Sequence, residues 1–304
     1  MSKTPQTLHD KVAVITGSGA GIGREFALAF AARGAKVVVN DLARNADDDG
    51  YAAETVVGEI KSAGGEAVAN MDSVAEWDSA HRIVAAALDH FGRIDCVINN
   101  AGILRDRFFF KMEPEEWQAV IDVHLTGSFN VARAAAPHFK GQRSGSYIHM
   151  SSTSGLIGNV GQTNYGAAKM GIAGLSKIIA LDMERYNVRS NCIVPWAWTA
   201  MTASVPMNTP EEIARAEKNK RMEPGKIAPM AVFLASDAAA EVNAQIFGVR
   251  ANEIYLFSQP RVIRSVHRSD GWTPEDIAEH AIPAMRSGFF ENLPGAALTT
   301  WDPI

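Results

Sequence analysis

The chain has 304 residues, of which 47% are hydrophobic and 21% charged, with 25 Gly and 13 Pro. That is a globular composition, and it excludes disorder, collagen-like repeats and coiled coil. Lys and Arg number 29 against 34 Asp and Glu, a net charge of −5 without any basic run, so nucleic acid is excluded as a partner.

The residues 11–16 (KVAVIT) predict a first strand that stops at Gly17, and the Ala-rich residues 21–33 a first helix. Residues 36–40 (KVVVN) are again strand-like. A helix is expected near 51–62, a strand at 67–70, a helix at 76–90 and a strand at 94–99. A long helix from 114 to about 137, a strand at 146–150, a helix at about 163–186 and a strand at 189–194 complete the alternation. Continuous apolar strands separated by helices require a parallel sheet covered on both faces, so the fold class is α/β, a doubly wound Rossmann-type sheet. Residues 195–225, with their Pro, Trp and Met, break the rhythm and read as a flap. A last helix and strand fit 227–235 and 244–249, and 251–304 read as a C-terminal extension to a catalytic domain at 1–250.

Cys96 and Cys192 stand far apart in apolar runs and read as buried thiols of a reducing compartment; neither a disulfide nor a metal site is expected. No stretch reaches the ~20 apolar residues of a membrane span. The opening MSKTPQTLHDK has no apolar secretion segment, so a cytoplasmic location is expected.

Four motifs carry chemistry. Residues 16–23 (TGSGAGIG), between first strand and first helix, form a turn whose backbone N–H groups and helix N-terminus can approach a pyrophosphate; Gly17, Ser18, Gly21, Ile22 and Gly23 are its candidate cofactor residues. Asp41, 18 residues past Gly23, can accept both ribose hydroxyls of an adenosine and repel a 2′-phosphate, which favours NAD over NADP; Arg44 is the nearby cation that would oppose this. Asp72 and the run Asn99-Asn100-Ala101-Gly102 sit at strand ends, where such sheets bind ligands. Finally, Ser152 follows the fifth strand, Tyr165 lies 13 residues on, and Lys169 one helical turn further on the same face. A phenol with an ordinary pKa of ~10 is a poor base at neutral pH; a neighbouring ammonium is expected to lower it. Ser152 would hold the substrate oxygen while Tyr165 exchanges its proton and the nicotinamide exchanges hydride.

In this order, these motifs resemble the short-chain dehydrogenase/reductase family over roughly residues 10–250. The resemblance implies catalytic Ser152, Tyr165 and Lys169, and cofactor contacts at Gly17, Gly21, Gly23, Asp41, Asp72 and Asn99. Ala101, Gly102, Pro195 and Thr199 join that set, Thr199 as the match for a carboxamide-binding threonine. Two positions depart from the family pattern: His124 stands where the family has a catalytic Asn, and Trp196 follows Pro195 where Gly is usual. His124 reads either as a core histidine on an apolar stripe or as a proton relay. Residues 37–42, 99–107 (NNAGILRDR), 123–125 and 161–165 resemble more narrowly the (3R)-hydroxyacyl-CoA dehydrogenase part of peroxisomal multifunctional enzyme type 2 and its bacterial single-domain relatives. That likeness implies a tail, around 272–290, packed beside the active site of a partner subunit in a homodimer or homotetramer.

Trp196, Trp198, Met201, Val205, Met207 and Phe108-Phe109-Phe110 point to a large hydrophobic substrate, and Arg105, Arg107, Lys220 and Arg221 to CoA phosphates. Hydroxyacyl-CoA leads; a 17β-hydroxysteroid or a steroid side-chain CoA ester is the alternative. A catalytically idle cofactor-binding subunit is opposed by the intact Ser152, Tyr165 and Lys169, and an NADPH-dependent acyl-carrier-protein reductase by Asp41.

Overall fold

The computed structural model describes residues 7–45, 49–199, 209–297 and 301. Strand β1 (Val12–Thr16) feeds helix α1 (Gly21–Ala32), β2 (Lys36–Asn40), α2 (Ala52–Ser62), β3 (Glu66–Asn70), α3 (Trp77–Phe91) and β4 (Cys96–Asn99). Then come α4 (Pro114–Ile121), a π-helical turn (Asp122–Thr126), α5 (Gly127–Gln142), β5 (Gly145–Met150), the short α6 (Thr153–Leu156), α7 (Thr163–Met183) and β6 (Val188–Trp196). After α8 (Pro210–Asn219) and α9 (Ala228–Ala235) the chain closes the sheet with β7 (Ile246–Arg250) and β8 (Glu253–Leu256).

The eight strands lie in the order β3-β2-β1-β4-β5-β6-β7-β8. All pairings are parallel except β7 with β8. The order reverses between β1 and β4, and a crevice opens at the carboxyl ends of the strands there. Both faces of the central strands are buried, which is why β1, β2 and β4 are apolar at nearly every position rather than at alternate ones. Ala13, Ile15, Val37 and Val39 pack under Phe26 and Phe30 of α1. Val12, Val14 and Val38 face the other way, against Val84 of α3 and Phe139 of α5.

Element boundaries agree with the sequence reading to within a few residues, with three corrections. The long helix does not end at Pro137; that proline lies inside α5. Its cost, about 3 kcal/mol in a helix interior, is offset by the buried face of Val131, Ala132, Ala135 and Phe139. The same helix is interrupted by the π turn, a period no apolar pattern announces. Third, the chain after residue 250 supplies edge strand β8. Beyond it, Gly295 N–H donates to Gly158 O at 2.9 Å and rests against Thr153 of its own chain. Trp301 lies over the Arg250 guanidinium and its indole donates to Glu253.

Among the described residues no helix is long and apolar enough to cross a membrane, and no cluster of His, Cys, Asp and Glu is placed to hold a metal ion. Cys96 and Cys192 are free and buried, as expected.

Candidate active site

The crevice encloses about 380 Å³ and runs from Asp41 and Asp72 at one end to His124, Tyr165 and Lys169 at the other. Gly17, Gly21 and Ile22 line it at the N-terminus of α1. Gly17 has φ +62, which favours glycine. No side chain caps α1 and its first turn holds no acidic residue, so its free N–H groups and the positive helix end suit a pyrophosphate. Gly23 acts differently from the sequence reading: a Cβ there would stand 2.1 Å from Gly17 O, so its role is to let α1 pack against the turn. Ser18 is also corrected. It is fully buried, and its hydroxyl donates to Ile15 O at 2.7 Å and accepts from Asn40 N–H, pinning the turn to β2 instead of facing a ligand.

Asp41 accepts from Gly19 N–H at 2.8 Å and Ala43 N–H at 2.9 Å, which fixes its carboxylate at the crevice end. Arg44 lies over the Tyr51 ring, 4.4 Å from its centroid, and donates to the Tyr51 hydroxyl. That cation is engaged by Tyr51 and also donates to Asp49 O. Asp72 lines the crevice, but its carboxylate already receives Arg82 and the Asn70 amide. Asn99 is a correction: its amide donates inward to Ser128 O and faces His149 Nδ1. The crevice residues at that strand end are Asn100, Ala101 and Gly102. The Asn100 amide donates to Thr16 O and Gly17 O, so it clamps the glycine turn; the run NNAG offered both asparagines, and only the packing separates them.

Tyr165 and Lys169 stand one turn apart on α7, with Lys169 Nζ 5.4 Å from the Tyr165 ring centroid. Ser152 caps α6 in extended conformation, its hydroxyl accepting from Ser154 N–H, and stands close enough to the Tyr165 phenol to lower its pKa. The two segments touch because Gly155 has no side chain: a Cβ there would meet Met170 N at 2.5 Å. Lys169 is buried and donates to Met150 O at 2.6 Å. Ser151 also lines the crevice, and its hydroxyl donates to Lys169 O.

Burial drives the pair in opposite directions. The phenol is pushed up to about 12, against a smaller lowering by the neighbouring Ser152 hydroxyl, and the amine is pushed down to about 7. The expectation that the ammonium lowers the phenol does not hold for the protein alone, because desolvation outweighs an amine lying over the ring face.

His124 sits in the π turn, buried, 5.1 Å from Tyr165 ring to ring and edge-on at 87°. His149 lies in β5, also buried. Burial holds both imidazoles neutral, lowered to about 3, with the Lys169 charge the second cause. The unfolded chain takes up protons below the ordinary 6.5 and the folded chain does not, so stability falls as pH drops from 6.5 toward 3. Thermal melting is therefore expected at clearly lower temperature at pH 5 than at pH 7, each histidine contributing up to about 1.4 kcal/mol per pH unit. A His149→Gln variant should lose about half of the histidine slope; an unchanged slope would contradict burial as its origin.

Pro195 and Thr199 line the crevice. Trp196 does not: its indole packs on Tyr255 and Phe257 of the tail side, at 5.6 and 6.4 Å. Trp198 ties the flap's two ends, its N–H donating to Met222 O. Met201, Val205 and Met207 lie outside the described residues. Arg107 is paired with Glu116 and Lys220 with Glu217, and Arg105 bonds the Leu104 carbonyl, so these cations give little support to a phosphate site.

The short chain dehydrogenase family matches residues 11–210, and the chain belongs to that family. It is an oxidoreductase acting on CH–OH groups, with a nicotinamide dinucleotide as cofactor; the uncapped α1 and the glycine turn fit that group. A hydroxyacyl-CoA dehydrogenase of Mycobacterium tuberculosis, ChsB1, is 41% identical over 91% of this chain and 90% of its own length. The peroxisomal multifunctional enzyme type 2 of Mus musculus is 42% identical over 91% of this chain. The match spans only 37% of that larger protein. Among solved structures, a short chain dehydrogenase from Mycobacterium avium superposes with TM-score 0.84 at 38% identity, covering 95% of this chain and 98% of that one.

Proposed function

We propose that this chain is an NAD-dependent dehydrogenase interconverting a secondary alcohol and a ketone on a large hydrophobic substrate, a (3R)-hydroxyacyl-CoA. The observation that carries the reading is the Tyr165 phenol and the Lys169 amine side by side on the wall of a crevice whose far end holds Asp41, with the Ser152 hydroxyl next to the phenol. Asp41, fixed by two backbone donors with Arg44 turned onto Tyr51, favours ribose hydroxyls and repels a 2′-phosphate. The bound dinucleotide supplies the hydride acceptor and a positive ring that favours the phenolate. Ser152 holds the substrate oxygen; Tyr165 takes the alcohol proton in oxidation and returns it in reduction; Lys169 steadies the phenolate. The substrate class rests on the two hydroxyacyl-CoA-type likenesses and on Phe108, Phe109 and Phe110, three successive exposed aromatic residues.

A homo-oligomer belongs to this reading, as is common in the family. Helix α7 leaves Met170, Ile178 and Leu181 exposed, apolar surface of the kind a second copy covers.

The test is a panel of (3R)-hydroxyacyl-CoAs, 17β-hydroxysteroids and simple alkanols with NAD. The CoA thioesters are expected to lead in kcat/KM by about tenfold or more, an advantage of ~1.4 kcal/mol at the transition state. A steroid at the head of the panel would replace the acyl-CoA reading with a steroid one.

A further inference from the structure

A chain of hydrogen bonds runs from Ser152 to a carboxylate that the reaction does not use. Ser152 Oγ accepts from Ser154 N–H at 3.1 Å and donates to Ser154 Oγ at 3.3 Å. Ser154 Oγ in turn donates to Gln162 Oε1 at 2.7 Å, and Gln162 Nε2 donates to Asp106 Oδ2 at 2.7 Å. The Asn159 amide reaches the same Gln162 oxygen at 3.1 Å. Backbone contacts bring these two loops together. Arg107 N–H donates to Gly161 O at 2.8 Å, and residues 107 and 162 form a parallel bridge. The Asn164 side chain donates to Arg105 O at 2.9 Å, so Asp106 is held opposite the Gln162 amide just before α7.

The direction of every bond in the chain follows from its far end. An ionised carboxylate only accepts, so Asp106 takes the Gln162 –NH2 group and turns Oε1 toward Ser154. Partial burial raises the Asp106 carboxyl, and the bond from Gln162 opposes that rise. A reversed amide would set oxygen against the carboxylate and nitrogen against the Asn159 amide, two repulsive contacts. Facing Oε1, Ser154 gives its one hydroxyl proton to Gln162, and its oxygen is left to accept from Ser152. The contact from Ser154 to Gln162 has ordinary length, whereas the contact from Ser152 to Ser154 is long for two hydroxyls. The Ser152 proton is therefore the one most easily handed to another acceptor.

We propose that Gln162 is a positioning residue: oriented by Asp106, it takes the Ser154 proton and so leaves Ser152 weakly held as the donor to the substrate oxygen. The inference rests on the reading of Ser152 as the group that holds that oxygen. Ser152 Oγ keeps its place through Ser154 N–H while its proton moves from Ser154 Oγ to the substrate.

The test asks whether Gln162 acts through Ser152. Gln162→Met, which keeps the length of the side chain without its amide, and Ser154→Ala are each made in the parent and in Ser152→Ala. Turnover is measured with NAD and a (3R)-hydroxyacyl-CoA, or with the 17β-hydroxysteroid if that leads the panel. In the parent each variant is expected to lower kcat by about five- to tenfold, with KM changed by less than about twofold. In Ser152→Ala the same substitutions should lower kcat by less than about twofold, because the group they position is gone. A loss that persists in full without the Ser152 hydroxyl, or parent-like kcat in either single variant, would overturn the proposal. Should Gln162→Met fail to fold, Ser154→Ala decides alone, since it removes the middle hydroxyl and keeps the Ser154 N–H. A Ser152→Ala variant that turns over like the parent would overturn the reading of Ser152 and this proposal with it; the other adverse results overturn the proposal only.

Discussion

Replacing Tyr165 by Phe is expected to lower kcat by about a thousandfold or more, a barrier increase of ~4 kcal/mol, while NADH binds nearly as before. The substitution removes one oxygen and little else. The ring that meets His124 edge-on and lies under Lys169 is retained, and the glycine turn, Asp41 and Thr199 are untouched. The kinetic loss therefore reports the phenol's proton chemistry. Steady-state turnover beside a fluorescence titration with NADH separates the two; activity within about tenfold of the parent would make the assignment of Tyr165 wrong. The pH dependence has a definite sign. Alcohol oxidation needs the phenolate, and burial pushes the phenol up to about 12, so oxidation should accelerate as pH rises through the alkaline range. Ketone reduction uses the protonated phenol and should not show that rise.

Neutralising the carboxylate at the other end of the crevice should change which dinucleotide is used. Asp41→Asn is expected to lower kcat/KM with NAD by about ten- to a hundredfold, the range of a lost hydrogen bond to a charged group, and to raise it with NADP. The carboxylate both accepts from ribose hydroxyls and repels a 2′-phosphate; the amide does the first weakly and the second not at all. The variant also costs one of the backbone bonds from Gly19 or Ala43, so thermal melting must accompany the kinetics. A parent enzyme that prefers NADP, or an unchanged ratio in the variant, would remove Asp41 from this role.

The doubly wound sheet is legible because its signal is repeated: parallel strands, most of them buried on both faces, give short apolar runs with helices between them. Tyr165 and Lys169 were legible for a local reason, since four residues on one helix share a face whatever the rest of the chain does. What escaped reading depends on contacts between distant segments. Asn99 and Asn100 are chemically identical neighbours, and which one faces the crevice follows from strand pleating against β5 and α5. Ser18 looks like a phosphate ligand in the motif, yet the return of β2 beside it occupies its hydroxyl. Trp196 looked like a substrate wall until β8, a strand hidden in a short run after residue 250, placed Tyr255 against it. The ionisation of Tyr165 and Lys169 is not legible from spacing, because burial is a property of the folded surroundings and is the largest influence on both groups.

The most direct test of the account is a crystal structure of the enzyme with NADH and an unreactive ketone analogue of the acyl-CoA product. The ketone oxygen should sit within hydrogen-bonding reach, about 3 Å, of both the Tyr165 phenol and the Ser152 hydroxyl, with its carbon facing the nicotinamide ring. A ketone bound with its oxygen turned from Tyr165, or a dinucleotide lying away from the α7 wall, would contradict it.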